Sequence, residues 1–404
     1  MKIKIQKKAL LPLLKRAVAC TDARSPKEEA KMVRFEAKEG VLTVTATDFF
    51  LQFSGWTQAT VDKEGACCVE AKGILARVDQ MPEGWLLLEL GPKKLKLKGH
   101  DTRRSYAVEV SAVDYPTLKW GEEVPRLFEM PGSGLADILE AAAWTAETTD
   151  TGRPELNVVR LIPMREEVIV EAASGAKGSQ VRVKHPTENE GVFPIQLRNT
   201  SEMIATCRAL GDTLVTVRGN DNSIYLETDG ARMGSYLPRV PMINLQGILD
   251  GLAPPKGTHH DEVVVNKRAM SEAVGALLVA VDAVDIALYL LVEQGAVHLL
   301  ASGSGDGHDV VPTASPVTTP RARRFNARNL LDAVKAVKGE DVSITLVPSE
   351  SHPWLIQETT SWLTQSILLQ PMAWDDTSQA VIAFMESRGV TSFTRMAPPA
   401  KAGA

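Results

Sequence analysis

A chain of 404 residues is longer than one hydrophobic core ordinarily supports, so two to four domains are expected. Its 44% hydrophobic and 24% charged residues are the balance of a globular protein, and no apolar run reaches the roughly 18 residues of a membrane-spanning helix. A formal net charge of -5 excludes a surface that coats nucleic acid all over, while leaving room for a basic stripe on one face.

The chain opens "MKIKIQKKALLPLLKRAVAC", basic and then apolar. Lys15 and Arg16 interrupt the apolar block where a secretory leader needs its core, so this segment is expected to be a first strand and helix. Residues 1–21 hold Lys2, Lys4, Lys7, Lys8, Lys15 and Arg16 without an acid. "LTVTATD" at 42–48 alternates as a strand, and "ILARVDQMPEGWLLLEL" reads as helix, Gly-containing turn and strand. A strand ending near Pro116 and the breaker-rich "KWGEEVPR" at 119–126 then close a first unit.

The same signals return in the same order. "GLADILEAAAWTA", "VIVEAAS" at 168–174, "MIATCRALGDTLVTV" and a strand before Pro241 lead to the linker "GLAPPKGTHHDE" at 251–262. "KRAMSEAVGALLVAV", "VHLLASG" at 297–303, "LLDAVKAVKGEDVSITL" and "SILLQPMAW" at 366–374 follow, the last containing Pro371. Ala46, Ala172 and Ala301 lie 126 and 129 residues apart, and Met81, Leu210 and Val337 lie 129 and 127 apart. Such a period marks an internal repeat. Three α+β domains are therefore expected at 1–122, 126–250 and 262–374, each with two helices packed on antiparallel sheets, before an extension at 375–404. The four cysteines, Cys20, Cys67, Cys68 and Cys207, form no C-x-x-C pair, which suits a reducing cytoplasm and neither a zinc site nor a redox motif.

At this point the sequence resembles the bacterial sliding clamp family, the beta subunit of DNA polymerase III. The resemblance rests on "MPEGWLLLEL", "RRSYAVEVSAVDYPTLKW", "RFNARNLLDAVKAVKGEDVSITL" and "LLQPMAW", and runs from residue 1 to about 374. It implies a head-to-tail homodimer closed into a six-domain ring, with helices lining the hole. It also implies a processivity factor that encircles double-stranded DNA without reading its sequence and tethers a polymerase and a clamp loader. In that family DNA-contacting positions fall at Arg24 of "CTDARSP" and Arg153 of "TGRPELN". The peptide-docking groove falls at Leu156, Gly175, Lys177, Pro241, Asn326, Leu368, Leu369, Pro371 and Met372. The dimer interface falls at Tyr106 and Val108 against Leu277 and Leu278. Each position has a plainer reading as well: a solvated loop arginine, or an ordinary core side chain.

Departures from the family pattern concentrate around the groove. Gln370 precedes the proline where a methionine is usual, Ala173, Ser174, Ala176 and Lys177 replace a Thr-Asp and His-Arg pattern, and Leu245 and Gln246 stand where arginine and valine are usual. The family's C-terminus falls at Trp374, so the later residues are an addition. Its first half is expected to form a short helix, with the apolar "AVIAFM" lying in the groove as a competitor of partner peptides.

Catalysis has little support. "ASGSGDGHDV" offers Ser304, Asp306, His308 and Asp309, but neither it nor "SGAKGS" has the order of a phosphate loop or a nucleophile elbow. His259 and His260 have no metal-ligand partner at helical spacing. The expectation is a non-catalytic cytoplasmic, nucleoid-associated protein without cofactor, metal or membrane contact. The alternatives are a clamp paralogue serving repair, a mobile element or drug resistance, and a clamp-like scaffold that does not encircle DNA.

Overall fold

The computed structural model describes residues 1–100, 102–116, 120, 123–149, 151–254, 260–281, 286–301, 306–347, 352–374 and 379–390. The first third runs β1 (Lys2–Gln6), α1 (Lys7–Ala19), β2 (Met32–Lys38), β3 (Val41–Thr47), β4 (Leu51–Gln58), β5 (Thr60–Lys63), β6 (Gly65–Glu70), α2 (Ala71–Asp79), β7 (Trp85–Leu90), β8 (Lys94–Gly99) and β9 (Ser105–Ser111). The second runs β10 (Arg126–Pro131), α3 (Gly132–Ala143), β11 (Val158–Met164), β12 (Glu167–Ala173), β13 (Lys177–Lys184), β14 (Phe193–Gln196), α4 (Leu197–Leu210), β15 (Leu214–Asn220), β16 (Ser223–Thr228), β17 (Ala231–Tyr236) and α5 (Leu245–Gly251). The third runs β18 (Asp261–Asn266), α6 (Lys267–Leu277), β19 (Ala287–Glu293), β20 (Ala296–Ala301), β21 (Gly307–Pro312), β22 (Arg321–Asn326), α7 (Ala327–Ala336), β23 (Asp341–Leu346), β24 (Trp354–Thr359) and β25 (Leu363–Leu369), and α8 (Gln379–Ser387) follows. Strand, helix, four strands, helix, three strands recurs three times among the described residues, with β5, α5 and α8 as additions. The expected α+β class is what the chain adopts.

The repetition extends to single hydrogen bonds. The first residue of each leading helix donates its backbone N–H to the turn before the third-from-last strand: Lys7 to Gly84 O at 2.9 Å, Gly132 to Thr213 O at 3.0 Å and Lys267 to Glu340 O at 2.8 Å. Lys7, only 7% exposed, carries its ammonium to the end of α2, donating to Asp79 O at 3.0 Å and Met81 O at 2.7 Å and pairing with Glu83 at 3.0 Å. Lys267 Nζ donates likewise to Val337 O beyond α7. A cation there satisfies carbonyls that the helix leaves without partners and complements its dipole. In the middle third the position is Gly132, where a Cβ would lie 2.8 Å from Cys207 O, so backbone approach replaces the lysine.

Caps explain why strands turn straight into helices. Asn266 accepts from Ala269 N, Asn326 accepts from Arg328 N and Asn329 N, and Glu70 accepts from Lys72 N and Gly73 N. Beneath α7 the buried residues Ala327, Leu330, Ala333 and Val334 follow helical spacing. They share a core with Met270, Val274 and Leu277 of α6 and with Leu288, Leu290 and Val292 of β19.

The chain forms two compact units. One comprises Met1–Glu140, Arg160–Glu166 and Pro186–Arg239; the other comprises Ala141–Val159, Glu167–His185 and Val240–Ala404. In the first, a continuous sheet runs β10-β15-β16-β17-β4-β3-β2-β6-β9-β8-β7-β1-β5. In the second, β12-β13-β25-β24-β23-β18 run side by side, and β21-β20-β19-β22 form a separate sheet. Sheets thus pass from one third into the next, through β17 on β4 and through β13 on β25, both antiparallel. The expected linkers at 119–126 and 251–262 lie partly outside the described residues.

The helix expected in the tail is present as α8, but its expected seat in the groove is corrected. Val381, Ile382 and Met385 are buried against Tyr289, Leu291, Leu300, Ala322 and Trp374, on one face of the sheet β21-β20-β19-β22. Leu368, by contrast, packs with Leu245, Leu252, Val347 and Leu355. The physical reason is β19 itself: "ALYLLVE" is buried at all but its last position, and a strand apolar on both faces needs cover on both.

Candidate functional site

The junction of β13 and β25 builds the candidate site within the second unit. Lys177 lies opposite Leu369 and Gly178 opposite Leu368. The ladder continues past β25, where Gln370 N donates to Ala176 O at 2.9 Å and Met372 N donates to Arg324 O at 2.7 Å. Pro371 and Met372 are thereby held half-buried beside β22, in reach of solvent, while Leu368 and Leu369 are 5% and 2% exposed. Gly175 caps the turn between β12 and β13 with open space where a side chain would stand.

Helix α5 lies against this junction. A Cβ on Gly178 would meet Leu245 Cδ1 at 3.2 Å, and Gln246 Oε1 accepts from Arg182 at 2.6 Å. Pro241 is exposed on the segment entering α5, with Met242 and Ile248 nearby in sequence 57% and 45% exposed. These two exposed apolar side chains, one on the segment entering α5 and one on α5 itself, are not among the residues that the resemblance implies.

Lys177 is half-buried with its ammonium 4.9 Å from the centre of the Trp144 ring. Burial pushes its pKa down, opposed by Asp332 and Glu147. Trp144 is anchored by its indole N–H on Ala141 O at 3.1 Å. The same carbonyl accepts from Ser179 Oγ and Gln365 Nε2, each at 2.9 Å, which ties this segment to the β13/β25 junction. The result is an apolar ledge with a cation at its end and half-buried Met372 and Pro371 on β25's continuation. Such a surface suits an extended peptide with apolar anchors.

Two predicted groove residues have structural employment. Leu156 is buried, its carbonyl accepting from Glu147 N at 2.8 Å. Asn326 caps α7 and stands on β22 two residues after Arg324, the strand partner of Met372. Neither role removes the residue from the neighbourhood, but each accounts for its type without a ligand.

The basic positions differ from one another. Arg24 is exposed on a turn in which Asp22 Oδ1 accepts its backbone N–H at 2.9 Å. Arg153 is exposed but pairs through Nε with Glu155 at 3.0 Å, so a phosphate would have to compete with that carboxylate. Exposed Lys8 on α1 and Arg328 and Lys335 on α7 supply further cations on helices, whereas exposed Lys15 and Arg198 are paired, with Asp79 at 4.0 Å and with Asp48 at 3.0 Å.

At the expected interface, Tyr106 is half-buried and Val108 is 6% exposed on β9. Leu277 is 6% exposed inside its own core and Leu278 packs partly against it, while Val279 is 86% exposed. Of the residues in "ASGSGDGHDV", Ser304 lies outside the described residues, and His308 and Asp309 stand on β21. All four cysteines are buried, with burial pushing the Cys67 and Cys207 thiols up to about 12, so they stay protonated. Among the described residues no cluster of three or more His, Cys, Asp or Glu is placed to hold a metal, and no helix is long and apolar enough to cross a membrane.

This architecture is the sliding-clamp fold. The chain is similar to the DNA polymerase sliding clamp of Bacillus subtilis, at 16% identity and a TM-score of 0.83, covering 93% of this chain and 99% of that one. It is similar to the DNA polymerase III beta subunit of Thermotoga maritima, at 18% and 0.83, covering 92% and 99%. It is also similar to the Bartonella birtlesii sliding clamp bound to griselimycin, at 20% and 0.82, covering 93% and 100%. No family model matches the sequence, and no curated protein does. At these identities the likeness establishes the fold.

Proposed function

We propose that the chain is a divergent member of the polymerase III beta-subunit family. Two copies would join head to tail into a ring of six domains, 1–122, 126–250 and 262–374 from each, that encircles duplex DNA and tethers a polymerase. The observation that carries this is a pair of strand edges. Inside the chain, the third strand after a leading helix pairs with the last strand of the next third, Phe53 facing Met233 and Ser179 facing Ile367. β21 and β9 are the members of these two sets left over. β21 pairs with β20 alone among the described residues, and β9 meets β6 only at Val110 and Ser111.

Hairpin registers align Phe53 and Ser179 with Gly307, because Ala46, Ala172 and Ala301 face them in turn. Ladder registers align Met233 and Ile367 with Tyr106, which face Leu226, Ile356 and Leu97. We infer that Gly307 of one copy faces Tyr106 of another in an antiparallel pair. Asp309 then lies opposite Arg104, an opposite-charge cross-strand contact. A heterologous contact of this kind closes when each third turns the chain by about one sixth of a circle.

A ring with cations on its helices would hold DNA by many weak phosphate contacts, which permit sliding. The ledge at Lys177, Pro371 and Met372 would take apolar peptides of the polymerase and clamp loader. No step of this function is chemical. A clamp paralogue with its own partners remains the second reading, favoured by Gln370 and the Trp374-anchored tail. Measured on linear duplex, binding should be weak and fall steeply with salt. Arg24→Ala should reduce both affinity and salt slope, and Arg153→Ala should do so less because of Glu155. Wild-type binding in the double variant would remove both residues from the DNA surface.

A further inference from the structure

The edge strand β21 is gripped on both faces. On one, its backbone rests directly on α6: a Cβ on Gly307 would lie 2.6 Å from Leu277 Cδ2 and 3.5 Å from Ala280 Cβ. On the other, His308 stacks on His298 of β20, ring centres 5.4 Å apart and planes at 23°, and meets Phe384 of α8 edge-on at 5.3 Å. Phe384 touches His298 in the same way at 5.6 Å.

Polar bonds continue this contact to the end of the tail helix. His298 Nδ1 lies 3.1 Å from His308 Nε2, and His298 Nε2 lies 2.9 Å from Glu293 Oε1. The same carboxylate oxygen accepts from Arg388 Nη1 at 2.6 Å, and the Arg388 guanidinium lies 5.3 Å from the centre of the Phe384 ring. With both imidazoles neutral, one proton arrangement satisfies the chain of bonds: His308 Nε2–H donates to His298 Nδ1, and His298 Nε2–H donates to Glu293. Arg388 then anchors α8 by a charge-assisted bond.

An edge strand with a single ladder partner depends on its faces for order. We propose that α8 is a buttress for β21, holding it in the extended state in which a second copy of this chain can add its β9. The occupant of the edge rests on the ring reading above; the grip itself does not. Helix α8 so assigned supports self-association, and its apolar face is seated on this sheet rather than on the peptide ledge.

The test compares wild type with Phe384→Ala, Arg388→Ala and the double variant in the full chain. Amide exchange of residues 307–312 is read in dilute protein, with β12 and β13 as the folding control, and the dimer dissociation constant is read by sedimentation. The double variant should exchange about tenfold faster in β21 and dimerise about tenfold more weakly, with β12 and β13 unchanged. Exchange and dimerisation both within twofold of wild type would overturn the proposal. A wild-type chain that stays monomeric while exchange still rises would sink the ring and keep the buttress.

Discussion

Lys7 shows how one side chain can secure a repeat. Its ammonium is buried and bonded to two carbonyls and Glu83. Lys7→Met keeps the apolar stem but leaves those carbonyls without a donor, so a loss of about 1–3 kcal/mol is expected in denaturant titration. An unchanged midpoint would mean water replaces the ammonium freely. His308 gives a pH prediction. Burial holds its pKa below 6.5, the neighbouring His298 and Arg388 act in the same direction, and Asp309 opposes them. A base with a lowered folded pKa contributes stability that is complete above 6.5 and is lost as pH falls through the lower folded value. Corrected for intrinsic rates, amide exchange of α8 and β21 should therefore accelerate in mild acid, and His308→Gln should flatten that dependence. A flat wild-type profile would show that the pair does not control the helix.

Elements were legible where one periodicity ruled them. The three alanines at 46, 172 and 301 stand at or one residue before the ends of equivalent strands and face equivalent positions on the next. The tail helix was visible too, but its seat was not, because a helix of mixed burial carries no address. The address lay in β19, whose Tyr289 and Leu291 belong to the face opposite Leu288 and Leu290. Leu277, which the resemblance places at the dimer interface and its helical spacing equally in the interior, is 6% exposed in its own core, since α6 turns it beneath Gly307, where the missing side chain makes room. The resemblance implies a groove position for Lys177, yet the Trp144 ring beneath it comes from more than thirty residues away and has no local signature. Met372 offers the sharpest test of the ledge. Its backbone bond to Arg324 does not depend on its side chain, so Met372→Asp should leave folding intact. A carboxylate set among apolar anchors should weaken a labelled apolar peptide at least about tenfold. Unaltered peptide affinity would reduce this stretch to a strand end.

For the whole molecule, the central claim is that β21 of one copy pairs with β9 of another in the register set by the two internal junctions. Neither edge is remarkable in the sequence alone; they stand out only because every equivalent edge in the chain is taken. The native cysteines are buried, so an engineered pair reports cleanly. Arg104→Cys combined with Asp309→Cys, oxidised at micromolar protein and resolved without reductant, measures that register directly. The account predicts a covalent species of two 43.8 kDa chains, abolished by reductant and formed poorly when position 103 replaces 104. A product that remains single-chain, with its thiols free or joined within one copy, would contradict it.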